Sequence, residues 1–363
     1  MKWILWVLLS LSQFANASAV TLEQREFYSS ARSLAMGNAN VAVANDETAL
    51  LINPAGLGRL RDFYGTILDP EIELNSNGMD MYRTKAFTSP WDLENVAPSL
   101  VQSPDKNYHF RGQLFPSLVT KNFGIGIIAK RNLDAVYNST TAKIDVNYQD
   151  DMALVLGYNL RLFEGRIKIG AAAKVINRIE LIKSDLDPNG ALDMSTLATQ
   201  GFATSGTGLS TDVGIMLAAP WDYIPTLGAV IHDLGGTSFE MTGASRMDTV
   251  GKPTVVAQDA DVGLAIHPIH TNKIRSSWTV EHKHVLTAAT QTDKMKLYHF
   301  GVEFNFSDIF YLRAGYNQRY YTAGLELASE KFQLQFTTYG EEVGDETSPV
   351  EDRRYAAKFT FRF

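Results

Sequence analysis

The chain has no cysteine among its 363 residues. Disulfides, thiol catalysis and Cys-ligated zinc are excluded with it. Positive charge is scarce: 33 Lys and Arg stand against 40 Asp and Glu, a formal net charge of -7. A nucleic-acid partner needs a basic surface to neutralise phosphates, so none is expected. Long apolar runs are missing beyond the N-terminus, and mean hydropathy is only -0.12. A multi-helix membrane protein needs repeated runs of about 18 apolar residues, so that class is excluded. A transmembrane barrel needs none, because only alternate strand residues face lipid. Catalytic signals are also missing. The 7 histidines are dispersed and no G-x-S-x-G occurs. No nucleophile–base pair, enzyme activity or cofactor is assigned.

What is present begins at the first residues. Met1-Lys2 carries a positive charge, Trp3 to Leu11 is apolar, and Ala17-Ser18-Ala19 offers small residues at a cleavage site. This pattern predicts a secretory signal peptide over residues 1–19, cut after Ala19. The apolar stretch is too short to span a bilayer. No cysteine follows it, so it is not a lipoprotein signal. The chain is expected to leave the cytoplasm.

From Tyr108 onward, apolar and polar residues alternate in runs of roughly ten, the period of a strand with one apolar face. In Tyr298–Phe306, the even positions Phe300, Val302, Phe304 and Phe306 are apolar, and the odd ones are polar or small. Leu325 and Leu327, then Phe332, Leu334 and Phe336, continue the rule. Runs begin near Phe63, Tyr108, Phe123, Lys143, Arg166, Thr207 and Ile224. Others begin near Val256, Lys273, Lys294, Ile309, Tyr321, Phe332 and Arg353. Their count, roughly 14, is even, as bacterial barrels require. Short links at Lys121-Asn122, Phe163–Gly165, Phe306–Asp308 and Ser329-Glu330 read as periplasmic turns. Long links at 75–107, 187–207, 240–255 and 341–352 read as extracellular loops. This asymmetry predicts an all-β, 14-stranded antiparallel transmembrane β-barrel over residues 61–363.

The chain ends on an alternating strand. Tyr355, Ala357, Phe359, Phe361 and Phe363 share one face, and Lys358 and Arg362 lie on the other. The terminal aromatic, with Tyr355, Phe359 and Phe361, resembles the signal read by the outer-membrane barrel-assembly machinery. That machinery is therefore an expected partner, with outer-membrane lipids and lipopolysaccharide.

Residues 20–60 follow another rule. Phe27, Ala31 and Leu34 fall on one helical stripe, predicting a helix from Leu22 to Met36, broken at Gly37-Asn38. Asn45 or Asp46 is expected to cap a second helix through Leu50-Leu51-Ile52. Pro54 opposes its continuation, and Asn53 before it is pushed from helical angles. Small residues suit close packing in a barrel lumen. A small N-terminal helical plug, or hatch, is expected here.

The stretch Ser30–Ala39 with Met36 and Gly37, then Val41–Asp46, then Ala49–Leu57 with Asn53-Pro54-Ala55-Gly56, resembles the hatch of the long-chain fatty-acid transporter (FadL-like) family. It is equally similar to the related PorV-like and TraF-like barrels. Tyr311–Tyr316 also resembles late strands of these barrels. The resemblance implies a plugged 14-stranded barrel in the cell outer membrane. It also implies uptake of small hydrophobic, fatty-acid-like molecules. The alternative it carries is a PorV- or TraF-like partner in secretion or surface assembly.

Three further groups stand out. Glu303, Arg313, Glu326 and Lys358 lie on polar faces of late strands. Their mixed signs predict pairing with each other or with the plug across the lumen. Asp185, Asp187, Asn189 and Asp193 match the first oxygen positions of a calcium loop. Thr196 stands where the closing Glu belongs, so an Asx-rich turn is the preferred reading. His282 and His284 sit two apart on one expected strand face, and no third ligand is apparent; rim residues are the preferred reading.

Overall fold

The computed structural model describes Glu23 and residues 25–60, 63–85, 89–242, 246–247, 249 and 251–363. The expected signal peptide lies outside these residues. The chain forms a closed antiparallel barrel of 14 strands. β1 combines Tyr64–Leu68 with Glu71–Asn75, and β2 combines Tyr108–Leu114 with Ser117–Val119. β3 is Phe123–Asn138, β4 Lys143–Leu162, β5 Ile167–Leu186 and β6 Ala203–Ala218. β7 joins Thr226–His232 with Phe239–Glu240, and β8 joins Asp259–Ile266 with Ile269–Thr271. β9 is Ile274–His282, β10 Tyr298–Phe306 and β11 Phe310–Asn317. β12 is Tyr320–Ala328, β13 Phe332–Glu342 and β14 Glu351–Arg362. Neighbours in sequence pair, and β14 closes on β1 through Tyr355↔Leu74 and Thr66↔Arg362. Three of the four interrupted strands break at a proline: Pro70, Pro116 and Pro268. Proline has no N–H to give the ladder.

Alternation sets the two faces. On β4, Met152, Leu154, Leu156, Tyr158, Leu160 and Leu162 are all exposed outward, while Val155 and Asn159 are buried inward. Phe300, Leu325, Phe336 and Phe359 also point out, and Glu303, Glu326 and Lys358 are buried. The aromatic row Tyr355, Phe359 and Phe363 is exposed, and the Phe361 ring packs at a tilt on Phe332, with centroids 5.1 Å apart. The terminal Phe363 is held by its N–H to the Gly65 carbonyl at 3.1 Å and by its ring against Phe63 at 5.9 Å.

The barrel is lopsided. β4 and β5 each have 20 residues, whereas β11 has 8. A membrane crossing takes about 9–11. The surplus rises on the side where the first and third outer loops lie. There the outward face remains apolar but is covered: Leu133, Ile144, Val146, Ile179 and Leu181 are buried. Helices α3 (Ser76–Lys85), α4 (Leu93–Gln102) and α5 (Met194–Thr199) cover it. They contribute Met81, Leu93, Val96, Leu100 and Leu197 to one cluster. Protein replaces lipid above the membrane band.

The N-terminal segment lies inside the ring. Its helices are shorter than expected: α1 spans Ala31–Ala35 and α2 spans Ala49–Ile52. Glu23 and residues 25–30 are not helical. The reason is electrostatic. Glu23, Arg25 and Glu26 reach Arg354, Asp134 and Lys283 respectively, partners on different wall strands or just past one. One short helix could not point its charges that way. Ser30 and Ser33 form a capping box that starts α1. Asp46 accepts hydrogen bonds from the Thr48 N–H and hydroxyl, and no side chain caps α2 directly.

These faces predict unequal tolerance of charge. Leu156→Arg should destabilise the barrel by about 2–4 kcal/mol, and Gln335→Arg should cost little. Urea unfolding followed by heat-modifiable gel mobility measures both. Equal midpoints would refute the assignment.

Candidate functional site

The N-terminal segment, the expected plug, packs on glycines of the wall. A Cβ on Gly228 would stand 2.7 Å from the Ala42 Cα. One on Gly324 would stand 2.5 Å from the Ala35 Cβ, and one on Gly301 2.8 Å from the Met36 Cβ. Gly124 and Gly157 face Leu50, Gly170 faces Pro54-Ala55, Gly214 faces Asn53, and Gly315 faces Met36-Gly37. These glycines lie on β3 to β7 and β10 to β12. A segment that meets so many staves from their inward side sits within the barrel. Glycine is the residue that lets two backbones approach this closely.

Polar contacts fix the register. The Asn53 side chain accepts from the Ala55 N–H at 3.1 Å and donates to the Val41 carbonyl at 3.0 Å. Wall Asn159 donates to the Ala55 carbonyl at 3.1 Å. Thr322 accepts from the Gly37 N–H at 3.0 Å, and His299 Nδ1 lies 2.8 Å from the Gly37 carbonyl. Pro54 opens a 3₁₀ turn, Pro54–Arg59, whose start Asn53 caps.

Charges form the second fastening. Arg32 of the plug donates to both Glu303 oxygens at 3.0 Å and to Asp46 at 2.6 Å. Arg313 bridges Glu303 at 2.7 Å and Glu326 at 2.6 Å. Lys358 meets Asp69 at 3.2 Å, and Arg362 meets Glu47 at 2.6 Å. Burial opposes the charge on Arg32, but Glu303 and Asp46 outweigh it and raise its pKa above the ordinary value. Burial also opposes the Asp46 charge, but Arg32 and the Thr48 hydroxyl hold that carboxyl well below its usual range. Removing one partner of such a buried pair strands the other, at about 3–5 kcal/mol.

A cavity of about 260 Å³ lies between plug and wall in the outer half. Phe27, Tyr28, Val41, Leu51 and Ile52 of the plug line it, with Ile176 and Val256 opposite. Charges at its edge are already engaged: Lys283 with Glu26 at 2.6 Å, His284 with Asp259 at 2.8 Å, Arg178 with Asp151 at 2.7 Å. The cavity meets the wall where β7 leaves the ladder. Pairing with β8 ends at His232↔Asp259, and Phe239–Glu240 pair with β6. Between them the chain turns through Gly235 and Gly236, at φ of +83° and +80°. Asp233 pins this kink by accepting from Ser210 at 2.6 Å and Thr237 at 2.7 Å.

Solved structures with this architecture were found, although no family model and no curated protein matches the chain. A deletion mutant of the TodX monoaromatic hydrocarbon channel superposes with a TM-score of 0.57 at 12% identity, over 92% of this chain and 98% of that one. The CymD monoaromatic hydrocarbon channel gives 0.53 at 12%, over 91% and 96%. The Pseudomonas putida toluene transporter TodX gives 0.52 at 11%, over 94% and 99%. The chain has the fold of these channels. It is the barrel implied by the resemblance around Asn53–Gly56.

Of the other candidate residues, Glu303, Arg313, Glu326 and Lys358 line one cavity together; the first three are joined by ion pairs, while Lys358 pairs with Asp69. Asp187, Asn189 and Asp193 serve local turns, whereas Asp185 lies in β5 and gives its N–H to Asp145 of β4 at 3.0 Å. The Asn189 N–H donates to Asp187 at 2.9 Å, and Asp193 caps α5 by accepting from the Thr196 N–H at 2.9 Å. The Ser195 hydroxyl and Thr196 hold the Asp193 carboxyl down at about 2. The histidine pair does not share a face. His282 packs on Tyr298 at 5.0 Å, whereas His284, at φ 55°, turns to Asp259. The strand has ended, so the period of two no longer applies. Among the described residues, the grouped potential metal ligands are Glu23, His109 and Asp134. Arg354 and Arg25 already engage two of them.

The glycine seats predict a size limit. Gly228→Ala should press on Ala42 and loosen the plug, by about 1–3 kcal/mol. Gly112→Ala should not, since a Cβ there meets only the Phe110 ring at 3.4 Å. The frequency of open-channel bursts in planar bilayers reports plug loosening. Equal burst rates in both variants would contradict the seat.

Proposed function

We propose that this protein carries small hydrophobic molecules across the outer membrane. The observation that carries the reading is the apolar cavity of about 260 Å³ between plug and wall, beside the kink in β7. Apolar solutes gain from such a surface, at about 25 cal/mol per Å² removed from water. The ligand enters from the outer side near the kink and rests against Val41, Leu51 and Ile52. It passes when the plug shifts. The cavity is smaller than the roughly 300–1,000 Å³ of drug-sized pockets, which favours compact ligands over long acyl chains. Its edge charges are paired internally, so a neutral ligand suits it. The named activities of the fold neighbours, monoaromatic hydrocarbon and toluene transport, support the same reading. The exposed row Tyr355, Phe359 and Phe363 remains the candidate signal for assembly.

The test fills the cavity. Val256→Trp should reduce uptake of labelled toluene by cells at least ten-fold, with unchanged amounts of folded barrel. Undiminished uptake would remove the cavity from the path. Native mass spectrometry of the wild type in mild detergent should show a co-purifying small apolar ligand.

A further inference from the structure

The periplasmic side of the plug holds two more cavities, of about 460 and 240 Å³. Arg59, in the last turn of the plug, lines both. It differs from the other plug arginines. Arg25 and Arg32 have carboxylate partners. Among the described residues, Arg59 has none. It donates to the Ala42 carbonyl at 2.8 Å and approaches His267 Nε2 at 3.3 Å. His267 Nδ1 lies 3.0 Å from the Ser277 hydroxyl, so a neutral ring can donate there and accept from Arg59. That arrangement orients the guanidinium without neutralising it. The nearby Glu303 oxygens are taken by Arg32 and Arg313. Burial and Arg32 together hold Arg59 below its usual pKa, at about 10. It is still charged at neutral pH, in a place that disfavours an unpaired cation.

The smaller cavity adds an apolar wall. Ile224 and Ile269 line it together with Arg59; the charged residues that share the lining, Arg275 and Glu303, are paired with Asp308 and with Arg32 and Arg313. Ile224 is held at φ 48° and Tyr223 at φ 63°. A β-branched residue rarely takes that conformation, and such strain persists only where neighbours enforce it. Here the His267 N–H donates to the Tyr223 carbonyl at 2.6 Å. The same histidine residue thus fixes both the apolar wall and the guanidinium.

We infer that this vestibule binds small apolar acids, with Arg59 holding the carboxylate and Ile224 and Ile269 holding the hydrocarbon part. A guanidinium offers a carboxylate two parallel N–H groups. The site's use as a release station rests on the transport reading; its binding chemistry does not. It broadens the cargo from neutral hydrocarbons to their acids.

Benzoate and benzyl alcohol separate charge from ring. Equilibrium dialysis of the full purified protein in detergent should show saturable benzoate binding. Arg59→Gln should weaken it at least ten-fold, and Arg59→Lys should restore part of it. Neither variant should change benzyl alcohol binding. Ile224→Asp, on the exposed turn, should also weaken benzoate and serves if Arg59→Gln does not fold. Absent saturable binding in the wild type, or equal benzoate affinity in wild type and Arg59→Gln, overturns the site. Benzyl alcohol flux into proteoliposomes tests transport separately. Its absence alongside Arg59-dependent benzoate binding would sink the transport reading and leave the site standing.

Discussion

Close approach of two backbones underlies the architecture. A barrel of 14 strands has room for a folded segment only if the wall yields space. It yields it at inward glycines, where Met36-Gly37, Ala42 and Pro54-Ala55 lie against the strands. Apolar cohesion then follows, since Leu50, Leu57 and Ala55 become fully buried against Val155, Ala172 and Met216. A side chain at Gly170 or Gly315 would separate these layers. The remaining cavities are where the segment does not touch the wall.

The ionic contacts divide the lumen by function. Arg32, Glu303, Arg313 and Glu326 form a continuous chain from plug to wall. Such pairs stabilise little relative to an apolar core, but a wrong register would leave charges stranded. They specify one seat for the plug. Toward the outer side, Arg25 and Glu26 do the same with Asp134 and Lys283. The segment therefore contacts the wall in both halves of the lumen. Arg59 stands outside this pattern.

Much of the barrel was legible because alternation reports the two faces directly. Phe300, Val302 and Phe304 against Gly301 and Glu303 fix β10 without reference to any other strand. The ends were less legible. β6 begins at Ala203 rather than Thr207 because α5 has ended by Gly201. The charged partners of the plug could be named as lumen residues from their face, but pairing with Arg32 depends on a contact 271 residues away in sequence. The glycine seats left a readable trace, glycine at inward parity on strand after strand, which alternation alone treats as any small residue. The outer helical cover was hidden for another reason. Ile144, Val146 and Tyr148 have lipid-facing parity, and nothing local says that α4 and α5 cover that face instead.

We propose that the N-terminal segment closes a barrel that stands without it. The strand ladder is complete without residues 25–56. The direct measurement is single-channel current in planar bilayers, comparing the wild type with a chain lacking those residues. A folded barrel with large, steady conductance is expected for the deletion, against rare, brief openings in the wild type. A deletion variant that folds yet stays as closed as the wild type would contradict it.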